Sequence, residues 1–166
     1  MTNPFYSHLD DHGRVRMVDV GDKPLTRRTA KAEARVRLNP QVAAQVANTG
    51  AIAKGNVLET ARIAGIMAAK RTAEIIPMCH SLMLDTVNID ICFEQQELVI
   101  VAEARCTGPT GVEMEAMTAV TVAALTVYDM CKSADKNIVI TCVRLLAKSG
   151  GKSGDWTAPH LTVRED

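Results

Sequence analysis

The sequence predicts an α+β domain, with helices packed on one face of a mostly antiparallel sheet. Three observations carry this expectation. Thr29 to Leu38 alternates strictly, with Ala30, Ala32, Ala34, Val36 and Leu38 on one side and Lys31, Glu33, Arg35 and Arg37 on the other, the pattern of a half-buried strand. Val87 to Glu94 and Leu98 to Cys106 alternate in the same way around Gln95-Gln96, which reads as a hairpin. Gly111 to Lys132 reads GVEMEAMTAVTVAALTVYDMCK, and its uncharged middle, Ala116 to Tyr128, reads as a helix hidden on all sides. That run is too short and too interrupted by Thr to span a bilayer.

In chain order, Met1 to Gly13 is polar and expected to be flexible. Arg16 to Val20 reads as a short strand bearing Asp19, and Gly21 to Pro24 as a turn. The alternating strand follows, with its polar face expected to be solvated. Asn39-Pro40 starts a helix as cap and first residue, ending near Gly50. Lys54-Gly55-Asn56 leads to a second helix, in which Asn56 and Glu59 form a capping pair. Val57, Ala61, Ala64 and Ala68, with Ile63 and Met67, make its expected buried stripe. Ile75 to Leu82 is an apolar turn carrying His80. The hairpin comes next, then a Gly/Pro break at Thr107 to Gly111, the central helix, a turn at Asp135 to Asn137, and a last strand from Ile138 to Leu146. Residues 14–148 form a single domain, and 149–166 are expected to be a Gly-rich, mobile tail.

The totals narrow the function. The chain has 166 residues, enough for one domain with a real core. Its formal net charge is zero, so no overall field attracts nucleic acid or an anionic membrane. Aromatics make only 3%, against a base-stacking surface. No signal peptide or membrane-length apolar run is present. The five cysteines form no C-x-x-C pair and read as reduced core thiols of a cytoplasmic protein. Cys79 and His80 are adjacent, so in an extended segment they face opposite ways and do not share one ion; no metal site is expected.

The central helix carries charges at both ends: Glu113 and Glu115 at its start, Asp129 and Lys132 at its finish. Asp129 and Lys132 share one face. Glu115 and Asp129 share a face within about 40° but lie about 21 Å apart along the axis. One small substrate does not reach both in one chain, whereas an antiparallel copy in a second subunit brings them together. A homo-oligomer with its site between chains is therefore expected. The alternative, a surface ion pair and two Glu residues that favour a helix N-terminus, stays open at this point. Lys148 to Gly154 reads KSGGKSG. It lacks the first Gly of a Walker loop, where Leu146 stands, but its backbone N–H groups suit phosphate. An ordinary solvated tail is the other reading.

Seven words in order, Met17 to Val20, Thr60 to Ile66, Ala68 to Thr72, Ile76 to His80, Gly111 to Ala116, Tyr128 to Lys132 and Lys148 to Gly154, together resemble the cyclic pyranopterin monophosphate synthase family, the C protein of the early molybdenum cofactor pathway. The resemblance runs from about Met17 to Trp156. It implies a ferredoxin-like α+β subunit assembled as a hexamer of three dimers, with its active site at the dimer interface. It implies an enzyme that converts (8S)-3′,8-cyclo-7,8-dihydroguanosine 5′-triphosphate to cyclic pyranopterin monophosphate and releases diphosphate, a lyase working by general acid/base chemistry. By matching words, Asp129 resembles the catalytic acid/base and Lys132 its partner, with Lys54, His80, Glu113, Glu115 and Asp19 as further catalytic-site members. Met78, Cys79, His80, Met114 and Glu115 resemble the base- and sugar-contacting segments. Arg28, Lys70, Lys148 and Lys152 resemble the triphosphate binders. No resident cofactor is implied; whether Mg²⁺ accompanies the phosphates stays open. Ser81 stands where Pro is usual, Asn56 where Asp is expected and Met117 where Leu is usual. A different purine-nucleotide lyase or cyclohydrolase, and a non-catalytic nucleotide-binding oligomer, are the rival readings.

Overall fold

A computed structural model describes residues 12–159; most of the segment 1–13 and the end of the tail lie outside the described residues. The central strand, β1 (Thr26–Arg37), pairs antiparallel with two neighbours. It meets β5 (Glu97–Gly108) along its whole length, and β6 (Val139–Ser149) from Thr29 to Arg37. β4 (Leu84–Glu94) pairs with β5, and β7 (Trp156–Thr157) closes the far edge, giving the order β4-β5-β1-β6-β7. The helices are α1 (Pro40–Thr49), α2 (Val57–Lys70), the short α3 (Thr72–Ile75) and α4 (Glu113–Cys131). Two-residue strands β2 (Ala51–Ile52) and β3 (Gly55–Asn56) join α1 to α2. Without the small additions the chain runs β1-α2-β4-β5-α4-β6, the ferredoxin-like arrangement expected from the sequence.

Local chemistry sets the helix starts. Asn39 Oδ1 accepts from the Val42 N–H at 2.8 Å, Pro40 fills the first turn, and Gly50 ends α1 in the left-handed region at φ 68°. Asn56 Oδ1 accepts from the Glu59 N–H at 2.9 Å. Buried Asp135 receives the N–H groups of Asn39 and Asn137, both at 2.8 Å, and so ties the α4–β6 turn to the end of β1.

Beside Val, Leu and Ile, the core contains many small side chains. Ala30 pairs with Ala104 and Ala32 with Ala102, and α4 lays Ala116, Ala119, Ala123 and Ala124 among the same buried residues. Small against small lets the α4 backbone approach the sheet closely. Gly65 does the same between the helices. A Cβ there would lie 2.5 Å from Ile89 Cδ1 and 2.8 Å from the Ala119 carbonyl oxygen.

Several expectations need correction. Arg16 to Val20 is not a strand; its backbone is irregular and turns where Lys23 N–H donates to the Val20 carbonyl at 3.1 Å. Ile63 and Met67 are 57% and 50% exposed, and the stripe α2 buries is Val57, Ala61, Gly65, Ala68 and Ala69. The polar face of β1 is not simply solvated: Glu33 is 5% exposed, with Arg144 Nε at 2.6 Å and Arg35 at 3.5 Å. In the single chain α4 is not hidden on all sides, since Met114, Leu125 and Tyr128 remain exposed along one stripe. The segment after Asp155 is not structureless throughout, because Trp156 and Thr157 pair with Lys148 and Ala147.

Gly65→Ala is expected to destabilise the fold by about 1–2 kcal/mol, overpacking outweighing the gain in helix propensity. Chemical denaturation measures it; an unchanged midpoint would show that the α2–α4 contact has room to spare.

Candidate active site

Two clefts meet at the N-terminal end of α4. The first, about 490 Å³, has apolar walls from Val18, Val20, Ile76 and Leu82, and polar groups from Lys23, His80, Glu113 and Glu115. The second, about 870 Å³, runs between the β5–α4 loop and the Gly-rich turn after β6, with Arg28, Lys148 and Lys152 along it. Both include Lys23, Thr110, Gly111 and Glu113, so they form one continuous groove of nucleotide scale.

Met78, Cys79 and Met114 line the first cleft. His80 is fixed by Nε2, which donates to the Val18 carbonyl at 2.7 Å. A carbonyl only accepts, so Nε2 carries a proton. Burial pushes the Cys79 thiol up, and Glu115 adds to the shift, so this cysteine is a neutral wall rather than a thiolate. Asp19 is absent from the lining, although Val18 and Val20 are present; its carboxylate accepts from the Gly21 N–H at 2.9 Å and holds the turn.

The two glutamates that open α4 sit in different surroundings. Glu113 is partly exposed and accepts from Lys148 Nζ at 2.9 Å. Glu115 is 4% exposed, and its Oε2 has no hydrogen-bond partner among the described residues. Burial raises the Glu115 pKa; its own backbone N–H opposes the shift, and the Glu113 charge adds to it. A small hollow of about 70 Å³ is lined by Glu115 and His80 together with Lys70, Arg71 and Glu74, so Lys70, at the end of α2, borders the same hollow as Glu115.

Lys54, Asp129 and Lys132 are elsewhere. They gather at the C-terminal end of α4, where Lys132 Nζ lies 2.7 Å from Asp129 Oδ1 and Lys54 Nζ donates to the Asp129 carbonyl at 3.0 Å. Both side chains of the pair are exposed. The hydrogen bond from Lys132, then its charge and that of Lys54, lower the Asp129 pKa. The same bond raises that of Lys132, so the isolated chain holds an ionised pair. None of the three lines the groove. The sequence-expected site is thus divided between two ends of one helix.

Reading from the sequence missed Lys23, Thr26, Thr110 and Gly111. Lys23 falls in an expected turn, yet it borders both clefts. Thr26 lines the second cleft, with a buried hydroxyl that has no partner among the described residues. No cluster of three or more His, Cys, Asp or Glu suited to a metal ion occurs among the described residues, nor any helix long and apolar enough to cross a membrane.

A family model described as the MoaC family matches residues 17–151. The chain is similar to proteins named cyclic pyranopterin monophosphate synthase. One, from Bordetella avium, is 57% identical over 155 residues, covering 92% of this chain and 95% of the relative. Another, from Chloroflexus aurantiacus, is 54% identical over 156 residues, covering 93% and 95%. A third, from Desulforapulum autotrophicum, is 54% identical over 155 residues, covering 92% and 94%.

The raised Glu115 pKa has a consequence for stability. The folded state holds that proton more tightly than the unfolded chain, whose carboxyl has its ordinary value of 4.5. The contribution is therefore complete below that value and is lost as pH rises through the folded pKa. Glu115→Gln removes the titration, so the variant gains stability relative to the parent as pH rises from about 4 toward 8. Melting temperatures across that range test this; a pH-independent difference contradicts it.

Proposed function

The chain belongs to the MoaC family, and on that premise we propose that it converts the cyclised dihydroguanosine triphosphate to cyclic pyranopterin monophosphate and diphosphate in molybdenum cofactor biosynthesis. The observation that carries this reading is the continuity of the two clefts. An apolar cleft edged by His80, Glu113 and Glu115 opens directly into a groove bearing Arg28, Lys148 and Lys152. A guanine-derived ring system needs the first, and a triphosphate of several negative charges needs the second.

The chemistry follows from the groups available. Forming the cyclic phosphate makes a bond from a sugar hydroxyl to the α-phosphorus and breaks the bond to diphosphate. The hydroxyl proton needs a base, and the leaving diphosphate needs its growing charge neutralised. Remodelling the purine ring needs further proton transfers, each to a group of suitable pKa. Glu115 is held toward its neutral form by burial and Asp129 toward its ionised form by Lys132. Groups pushed in opposite directions divide acid and base roles. These transfers need side chains rather than a resident cofactor, and any Mg²⁺ that takes part travels with the phosphates.

We further propose that the site is completed by a second copy. α4 has 19 residues, so Asp129 stands about 21 Å along the axis from Glu115. An antiparallel copy of α4 brings its own Asp129 and Lys132, with the Lys54 bonded to that Asp129, to the mouth of the first cleft. The exposed stripe of Met114, Leu125 and Tyr128 on α4 supports this pairing, as do exposed Ile63 and Met67 on the adjoining α2. Apolar side chains in a helical stripe are better explained by a covering surface than by solvent. Against the partner's cleft, Asp129 and Lys132 lose water, which works against both charges and eases proton exchange between them and the substrate. Closed assembly of such dimers gives the hexamer. Free thiols throughout, Cys79, Cys92, Cys106, Cys131 and Cys142, fit the reducing cytoplasm.

Incubation with the cyclised triphosphate, following diphosphate release, tests the reaction. Asp129→Asn and Lys132→Ala are each expected to lower kcat by at least about 100-fold, with the fold of the subunit intact because both side chains are exposed in the single chain. A variant that turns over at the parent rate removes its residue from the chemistry. A parent protein that releases no diphosphate overturns the assignment.

A further inference from the structure

Arg28 belongs to the expected set of phosphate binders, yet its guanidinium is engaged with the backbone. Its Nε donates to the Gly108 carbonyl at 3.4 Å, Nη2 to Pro109 at 3.3 Å and Nη1 to Gly150 at 3.3 Å. Gly108 and Pro109 begin the segment that leads into α4 and Glu113. Gly150 follows Lys148 at the exit from β6. Arg28 stands on the strand between them, opposite Cys106 of β5 and one residue before the pairing of Thr29 with Ser149. One planar fork therefore ties together the two loops next to Glu113, the first residue of α4, and Lys148, near the end of β6, which meet at 2.9 Å.

The Gly pair after β6 is shaped for this contact. Gly150 and Gly151 have φ of 91° and 76°, a left-handed backbone that glycine adopts without strain. A Cβ on Gly151 would fall on the Arg28 guanidinium itself, and one on Gly150 would fall on the Arg27 carbonyl. The turn thus lies flat on the arginine. Its three partners are neutral carbonyls, so they orient the fork without cancelling its charge.

We propose that Arg28 is a positioning residue: it straps the β5–α4 loop to the Gly-rich turn and so fixes where Glu113 meets Lys148. Lysine does not replace it, because one ammonium cannot reach three carbonyls on two loops in the geometry of a planar fork. Gly151 is part of the same device, although it bears no functional group. The inference rests on reading this groove as the phosphate half of the site.

Arg28→Lys keeps the charge and loses the fork, while Gly151→Ala keeps the arginine and displaces it. In the full chain both are expected to lower kcat by about tenfold or more, with the inhibition constant for inorganic diphosphate changed by less than about threefold. Amide hydrogen exchange is expected to quicken in both 107–112 and 150–155. If either variant keeps the parent kcat, or if exchange in either loop is unchanged, the strap is overturned; a raised diphosphate inhibition constant at unchanged kcat identifies Arg28 as a phosphate contact alone. Exchange is measured without substrate. It therefore judges the strap even if the parent protein does not turn over the cyclised triphosphate, the result that defeats the functional reading instead.

Discussion

Close packing of α4 on an alanine-lined sheet is the constraint from which the rest follows. Ala30, Ala32, Ala102 and Ala104 leave no bulk between the strands and the helix, and Ala116, Ala119, Ala123 and Ala124 leave none on the helix side. A rod held this way neither tilts nor bends to bring its ends together. Its acidic start is fixed in the groove, and its Asp129–Lys132 end is fixed in solvent. On the proposed assignment it is distance, rather than any missing residue, that leaves a single chain without a complete set of acid and base groups.

The surroundings of those groups differ as their proposed work requires. Glu115 is buried with one oxygen unpaired, the setting in which a carboxyl keeps its proton. Glu113, two residues before it, is matched by Lys148. Asp129 is held ionised beside Lys132 and Lys54. The cations of the groove are divided in a similar way. Lys148 is engaged by a carboxylate, whereas the partners of Arg28 among the described residues are carbonyls, which leave it its full charge. Gly150 and Gly151 make room for this second arrangement.

What was legible in the sequence was local or periodic. Asn39-Pro40 and Gly50 bracket α1 because caps are decided within a few residues. Alternation in β1, β4 and β5 set the sheet faces. The unreadable features depend on the third dimension. Ile63 and Met67 have the apolar period of a buried stripe, but periodicity does not say whether the cover comes from the same chain. Glu33 reads as solvated because its partner Arg144 is 111 residues away. The Arg28 fork joins carbonyls 80, 81 and 122 residues distant, which no spacing rule could find. Asp19 has the company of a site word, yet the structure uses its carboxylate to hold a turn. The separation of the site into two ends was legible, since helix rise alone supplies it.

In the proposed assembly each site takes Glu113 and Glu115 from one chain and its Asp129–Lys132 pair from another. Chains carrying Glu115→Gln and chains carrying Asp129→Asn, each inactive alone, can be unfolded together and refolded in equal amounts. If sites are shared, half of the dimers are mixed and each mixed dimer has one intact site of two, so about a quarter of the parent diphosphate release returns. Release that stays at the level of the separate variants, in mixed dimers verified by mass, would mean that one chain supplies every group and would contradict the shared site.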